Sequence, residues 1–174
     1  MARRRVLSRR MVVWLVPILL TVHNAEEAVA FRSYLPRARA LLPEPFAGFE
    51  ASLSYSTLLV ALAVLSGLAF LMAWVTATWP TSARAMWALL ALEAAVALNV
   101  LAHLVSATVL FRGYGPGLVT AVLVNAPFAV YCFRRAWREQ WLGVRALLAL
   151  IPAAVVLHGP LLLSGLWLAG RSSR

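Results

Sequence analysis

Long apolar stretches, separated by short polar or charged segments, dominate the chain. A run of about 20 apolar residues is long enough for a helix to cross a bilayer, and the chain contains five such runs. Its connections are too short for a separate soluble domain, so we expect residues 1–174 to form a single all-α, polytopic transmembrane helical bundle. The predicted spans are residues 11–31, 52–79, 85–111, 117–133 and 146–169.

The longest connection, residues 32–51, is rich in proline and arginine and contains Phe46 and Phe49. This composition is typical of a loop or a short interfacial helix at the level of the lipid headgroups. A segment of this kind could cover a site in the bundle from one side.

Composition and charge agree with a membrane protein. The chain is 63% hydrophobic, its mean hydropathy is +0.83, and its net charge of +10 comes from 16 arginines and six glutamates. The arginines cluster at the ends of the spans, so we expect them to interact with the lipid bilayer. The chain contains no nucleic-acid-binding motif, so we expect it to bind no nucleic acid.

The distribution of arginine also predicts the orientation. Ten of the sixteen arginines lie on one side of the predicted bundle, the side of the N-terminus. Because basic residues concentrate on the cytoplasmic side, we expect a cytoplasmic N-terminus and a multi-pass protein of the inner (plasma) membrane. The only cysteine, Cys132, excludes an intrachain disulfide.

The N-terminal 20 residues allow a second interpretation. "SRRMVV" resembles a twin-arginine signal, and "AVA" at residues 28–30 resembles a cleavage site. Cleavage there would fall directly after two acidic residues in a continuing helix, which is a poor site. An uncleaved first span explains more of the sequence.

Within the first span lies "HNAEE", residues 23–27. On a helix, Glu26 lies about 60° to one side of His23 and Glu27 about 40° to the other, so the three side chains share one face. Ionised groups at membrane depth are costly and are normally paired or bound to a cation. The group is suited to binding a first-row metal or to acid/base chemistry.

Other spans place polar residues at a similar depth. Asn99 and His103 lie one turn apart in "NVLAH", Asn125 precedes a proline, and His158 lies in "LHGP". These positions lie about eight to eleven residues from the outer ends of their spans, roughly 12–17 Å at ~1.5 Å per residue. Singly, each is more often an interhelical hydrogen-bonding group. Together they predict a shared site, with Glu93 outside it.

Three motifs resemble the signatures of the HXXEE family of small bacterial membrane proteins. They are "HNAEE" at 23–27, "NVLAH" at 99–103 and "RGYGPG" at 112–117, in the family's order. The family has no settled activity, so the resemblance implies shared site residues but no reaction. The residues it implies are His23, Glu26, Glu27, Asn99, His103, Arg112 and Tyr114.

The turn "RGYGPG" also has a direct physical interpretation. Its glycines permit positive φ, and Pro116 suits the start of the next helix. Arg112 could neutralise Glu26 or Glu27, bind a lipid phosphate or carboxylate, or simply extend to the interface.

We therefore assign roles to the predicted site. The predicted catalytic residues are Glu26, Glu27, Arg112 and Tyr114; the predicted ligands of zinc or iron are His23, Glu26, Glu27, His103 and His158; Asn99 and Asn125 support them. The leading hypothesis is a metal-dependent enzyme, a hydrolase or oxidoreductase, acting on a lipid-like or apolar substrate. A metal-free acid/base isomerase or cyclase is a close variant. A small proton- or cation-coupled transporter, which would need to be a homo-oligomer, and a non-catalytic membrane subunit remain as alternatives.

Overall fold

The computed structural model describes residues 7–40 and 54–161, and over these ranges the protein is a bundle of five helices without a strand. Helices α1 to α4 are long and apolar enough to cross a membrane, and α5 is shorter. The prediction of an all-α membrane bundle is confirmed. The helices are α1, Arg9–Ala40; α2, Tyr55–Thr78; α3, Ala83–Leu110; α4, Leu118–Arg138; and α5, made of Val144–Leu148, Leu150–Val156 and Leu157–Leu161.

The first helix is longer than its predicted span. It continues past residue 31 to Ala40, because its last turns are held against the turn between α3 and α4. Arg37 Nη2 donates to the Phe111 carbonyl at 2.9 Å, and the Tyr34 ring lies edge-on to Phe111. The rest of the predicted loop, residues 41–51, the first two residues of the second predicted span and the end of the fifth lie outside the described residues.

Local chemistry explains where the helices begin. The hydroxyls of Ser54 and Ser82 accept hydrogen bonds from the amides of Thr57 and Ala85, and so cap α2 and α3. Before α4, Gly117 has a φ of 78°, a conformation that glycine adopts without steric cost.

Three helices contain a π-helical turn near the same end of the bundle. These turns are Ser106–Leu110 in α3, Ala121–Asn125 in α4 and Leu157–Leu161 in α5. We call the end that carries residues 111–117 the site end, and the opposite end the Trp141 end. π-Helical turns are rare and often mark functional sites, and here each lies close in sequence to a polar residue of the predicted site.

The apolar core lies mainly toward the Trp141 end. There Val12 and Val16 of α1 pack with Ala73 of α2, Leu90 of α3 and Ala136 of α4. At that end, Arg9 and Arg135 each place a guanidinium over the Trp141 ring, and Arg135 donates to the Leu7 carbonyl. The bundle therefore has one half closed by apolar packing and another half that contains the polar residues.

Candidate metal centre

Helices α1 and α3 bring His23, Glu27 and His103 together in the interior of the site end. One ligand atom from each of the three residues lies within 4.8 Å of the others. His23 Nε2 and His103 Nε2 are 3.2 Å apart, and His103 Nε2 lies 3.4 Å from Glu27 Oε1. The second Glu27 oxygen, Oε2, is 3.9 Å from His23 Nε2. His23 is fully buried, and the Glu27 side chain is 19% exposed.

These distances suit a divalent metal ion. Zinc binds imidazole nitrogen and carboxylate oxygen at ~2.0–2.2 Å in tetrahedral geometry, which places two ligand atoms roughly 3.3–3.5 Å apart. The distances from His103 Nε2 to His23 Nε2, 3.2 Å, and to Glu27 Oε1, 3.4 Å, are close to that value. Two histidines and one glutamate also leave coordination positions open for a water or a substrate.

The second glutamate of the motif turns toward α4 and does not join the group. Glu26 Oε1 accepts from the Tyr114 hydroxyl at 2.7 Å and the Val119 amide at 3.1 Å. Its Oε2 accepts from the Thr120 amide at 2.7 Å and the Thr120 hydroxyl at 2.6 Å. Four donors around one carboxyl group are the surroundings of an ionised carboxylate.

Thr120 links Glu26 to His23 and thereby fixes the tautomer of the imidazole. The hydroxyl has one proton, which it donates to Glu26, so at 2.8 Å it must accept from His23 Nδ1. With the proton of a neutral ring on Nδ1, Nε2 carries a lone pair that faces the centre. A hydrogen bond to the far nitrogen of a metal-binding histidine commonly has this effect.

His103 presents the same ring nitrogen to the centre. Its Nε2 lies 3.2 Å from His23 Nε2 and 3.4 Å from Glu27 Oε1. Two imidazole nitrogens and a carboxylate oxygen therefore converge on one point. Such a group of atoms favours the binding of a positive charge, either a metal ion or a proton.

Asn99 adds an amide to the centre. As assigned, its Nδ2 lies 3.0 Å from Nε2 of both His23 and His103. The two ends of an amide are distinguished only by their neighbours, so the same side chain can present its carbonyl oxygen to a cation. On the other side of α1, Asn24 donates to the Leu62 carbonyl and to Ser66 of α2, which fixes the rotation of the motif about the helix axis.

Gly117 closes the centre toward the site end. A Cβ atom at this position would lie 2.7 Å from His103 Cε1, 2.8 Å from His23 Cε1 and 2.8 Å from Glu27 Cγ. No side chain fits in that space. The backbone of the turn thus packs directly on all three candidate ligands.

A cavity of about 400 Å³ lies beside the group, between α1, α3 and the turn. Glu27, Asn99 and His103 form part of its lining. Most of the remaining wall is apolar, with two phenylalanines, Phe31 and Phe111. A molecule in this cavity would contact the group from its open side.

Several residues predicted for the site have other positions or roles. Tyr114 bonds to Glu26, not to the ligand group, and burial together with this bond raises the pKa of Tyr114 to about 12. The phenol therefore remains a neutral donor at physiological pH. Arg112 is exposed, and in the described part of the chain no hydrogen bond or ion pair joins it to Glu26 or Glu27. Glu26 contacts Tyr114 and Thr120 instead, and Glu27 contacts His103.

His158 and Asn125 were included in the predicted site only because of their depth in the bundle. Both lie outside the group of three. His158 is close enough to His103 to interact electrostatically with it, but it is not among the clustered ligand atoms. Asn125 is buried, and its Nδ2 has no hydrogen-bond partner within residues 7–40 and 54–161. Similar depth does not determine which way a side chain points around its helix.

Thr120 is the functional residue that the sequence did not reveal. It lies in an apolar segment, "GLVTAVLV", where a threonine is unremarkable because its hydroxyl usually bonds to its own helix. Only its position could have indicated a role: Thr120 lies three residues after Gly117, at the beginning of the helix that follows the turn.

Comparison with known proteins identifies a family for the chain but no activity. A family model described as "Protein of unknown function with HXXEE motif" matches residues 14–132, which include His23, Glu27, His103 and Thr120. None of the curated proteins and none of the solved structures matches the chain.

Proposed function

The chain belongs to the HXXEE-motif family, and from its own site we propose that it is an intramembrane metalloenzyme. In this proposal His23, Glu27 and His103 bind one divalent metal ion, and a lipid-like or apolar substrate reaches it through the adjacent cavity. Glu26, Thr120 and Asn99 position the ligands. Tyr114 orients Glu26 and does not touch the substrate.

One observation carries the proposal: the convergence of three electron-rich atoms with no cationic side chain among them. The 3.2 Å separation of the two Nε2 atoms is unfavourable when both carry lone pairs and nothing positive lies near. The bond from His23 Nδ1 to Thr120 keeps the proton away from that centre. A divalent cation compensates the charge of Glu27 and accepts both lone pairs.

The ligand set suits two metals. Two histidines and one carboxylate occur in zinc hydrolases, where the metal activates a water, and in non-haem iron oxygenases. Glu26 is not available as a general base beside the metal because four donors surround its carboxylate. With zinc, the metal-bound water would act as nucleophile without this base; with iron(II), oxidation would use dioxygen and an external electron donor, so separate loading with each metal decides between them.

A metal-free acid/base enzyme is the second candidate, and the position of Asn99 favours it. The Asn99 amide, as placed, donates toward both imidazole nitrogens, an arrangement that is satisfied without a metal. Glu27 lies 3.4 Å from His103, so a proton could be shared between them and moved to a substrate. Such a pair would suit isomerisation of a carbon–carbon double bond.

Metal analysis of the purified full-length protein tests the proposal. The protein would be prepared in detergent, loaded separately with zinc and with iron(II) under anaerobic conditions, desalted and analysed for bound metal. We expect one ion per chain in the wild type and none in His23→Ala, His103→Ala or Glu27→Gln. His158→Ala and Glu93→Gln are matched controls, since these intramembrane residues lie outside the group, and both should retain the metal.

The outcomes separate the two candidates. Failure of the folded wild type to bind zinc or iron would overturn the metalloenzyme and leave the acid/base enzyme. Retention of metal in His23→Ala would show that the ion binds elsewhere, and equal loss in His158→Ala and His23→Ala would show that His158 belongs to the ligand set. Circular dichroism of each variant checks that the helices are intact.

A further inference from the structure

The cavity beside the metal centre has apolar walls and a cationic rim. Its volume of about 400 Å³ falls within the range of roughly 300–1,000 Å³ that small-molecule sites occupy. The polar part of its wall belongs to the centre itself. Phe31, Leu110 and Phe111 supply apolar surface on the way out.

Two arginines flank the point where the turn borders the cavity. Arg37 donates to the Phe111 carbonyl at 2.9 Å and places its guanidinium 5.5 Å from the centroid of the Phe111 ring. Arg112 follows Phe111 directly and is exposed. Phe111 and Gly115, on either side of Arg112 in the sequence, both line the cavity.

The backbone at Arg112 is unusual for a residue with a side chain. Its φ is 48°, in the left-handed region, while the neighbouring Gly113 does not have a positive φ. A left-handed conformation is unfavourable for a non-glycine residue, and such strain tends to occur at functional sites. Arg112 adopts it directly after Phe111, which lines the cavity.

No acidic side chain balances these arginines at the rim, as far as the described residues extend. Glu26 and Glu27 are the described acids at the site end; one is surrounded by donors, and the other belongs to the ligand group. Guanidinium groups bind phosphate in bidentate fashion. Charge complementarity therefore selects an anionic headgroup.

The two helices that border the cavity expose apolar side chains. Val29 of α1 is 82% exposed, and Leu101 and Val105 of α3 are each 57% exposed. In a helix that crosses a membrane, such residues face lipid chains. Lipid would therefore surround the helices between which the cavity lies.

We propose that the cavity binds a membrane lipid with a phosphate headgroup, whose headgroup lies at Arg37 and Arg112 and whose chain extends between α1 and α3 toward the metal centre. This inference names the substrate class of the proposed enzyme and rests on that proposal for its catalytic meaning. Binding itself requires only the cavity and its rim.

Binding of dodecyl phosphate to the full-length protein in a non-ionic detergent tests this inference. Native mass spectrometry or calorimetry would compare dodecyl phosphate with dodecyltrimethylammonium and with inorganic phosphate. Arg112→Gln and Arg37→Gln remove rim charges, and Ala102→Phe fills the cavity. Arg145→Gln at the Trp141 end and Leu104→Phe on the exposed face of α3 are the matched controls.

We expect dodecyl phosphate to bind more tightly than either comparison compound. Loss of one charged hydrogen-bonding partner should weaken binding about tenfold in each rim variant. Ala102→Phe should abolish binding, and both controls should behave as wild type. The inference is overturned if the cationic amphiphile binds equally well, if inorganic phosphate alone binds equally well, or if Ala102→Phe has no effect.

Measuring the metal content of the same samples separates the two proposals. Dodecyl phosphate bound by a protein that takes up no metal would overturn the metalloenzyme and keep the lipid site. A protein that binds metal through His23 but does not bind dodecyl phosphate would overturn only the lipid site.

Discussion

The hydroxyl of Thr120 decides how His23 can act. It donates to Glu26 at 2.6 Å and accepts from His23 Nδ1 at 2.8 Å. The Glu26 carboxylate, which lies outside the centre, therefore determines that His23 Nε2 carries the lone pair facing it. The two glutamates of the motif therefore have different surroundings. Glu27 lies in the group that could hold a metal ion, and Glu26 is linked to a member of that group through Thr120.

Removing the Thr120 hydroxyl should weaken metal binding without removing a ligand. We expect Thr120→Val to lower metal affinity about 10–100-fold, because the loss of a partner to a ligating histidine has that effect. Thr120→Ser retains the hydroxyl and should restore most of the affinity. Thr108→Val is the matched control, since Thr108 bonds only to carbonyls of its own helix. Competition with a metal-sensitive dye measures the affinities; equal values for Thr120→Val and wild type would contradict the role of Thr120.

The turn between α3 and α4 is the element that completes the site. It provides the backbone of Gly117 against all three candidate ligands, the phenol that orients Glu26, and Phe111 at the wall of the cavity. The extended end of α1 fastens it through Arg37 and Tyr34. A short connection thus forms one wall of the candidate metal centre.

A single methyl group at Gly117 should disrupt the centre. We expect Gly117→Ala to lose bound metal and to destabilise the fold by more than about 1 kcal/mol, because the φ of 78° is unfavourable for alanine and the Cβ would overlap three side chains. Gly113→Ala is the control, since its Cβ would meet only the Phe111 carbonyl at 3.9 Å. Thermal unfolding and metal content would be measured for both. Similar behaviour of the two variants would show that the turn does not pack on the centre as described.

The elements were easier to predict than the contacts between them. Apolar run length predicted the helices, and helical spacing placed His23 beside Glu27 and Asn99 beside His103, since these relations lie within one helix. The sequence did not predict the contact between Glu26 and Thr120, because this contact depends on the rotation of α4 relative to α1. Asn24, Gly117 and the π-helical turns determine that rotation through contacts between helices. His158 shows the same limit, because depth along a helix contains no information about direction around it.

The two halves of the bundle are held together by different interactions. Apolar packing of Val12, Leu90 and Ala136 holds the Trp141 end together, and the site end relies on hydrogen bonds such as those from Tyr55 to the Ala28 carbonyl and from Tyr114 to Glu26. A metal ion bound by His23, Glu27 and His103, as proposed above, would join α1 and α3 within the site half. We therefore expect bound metal to stabilise that half more than the other half.

Hydrogen exchange with and without a chelator tests this division. We expect chelation to speed exchange in residues 111–125 and to leave residues 86–96 unchanged, because a ligand that binds only the folded state adds up to about 2.7 kcal/mol at a hundredfold excess over its dissociation constant. His23→Ala should not respond to the chelator. A uniform change along the wild-type chain, or an equal change in the variant, would contradict a local effect of the metal.

The π-helical turn at Ser106–Leu110 also determines which sequence changes the bundle can accept. A π turn contains one residue more than an α-helical turn of the same span, here closed by the bond from the Phe111 amide to the Ser106 carbonyl. Deleting one residue there would replace the π turn by an α-helical turn of the same span, so the residues after it would keep their orientation relative to His103. Phe111, Tyr114 and Gly117 would still face α1. Deleting one residue from the α-helical part of α3 before His103 would instead rotate everything after the deletion by about 100°. We therefore expect a one-residue deletion to be tolerated better at Ser106–Leu110 than at residues 94–98.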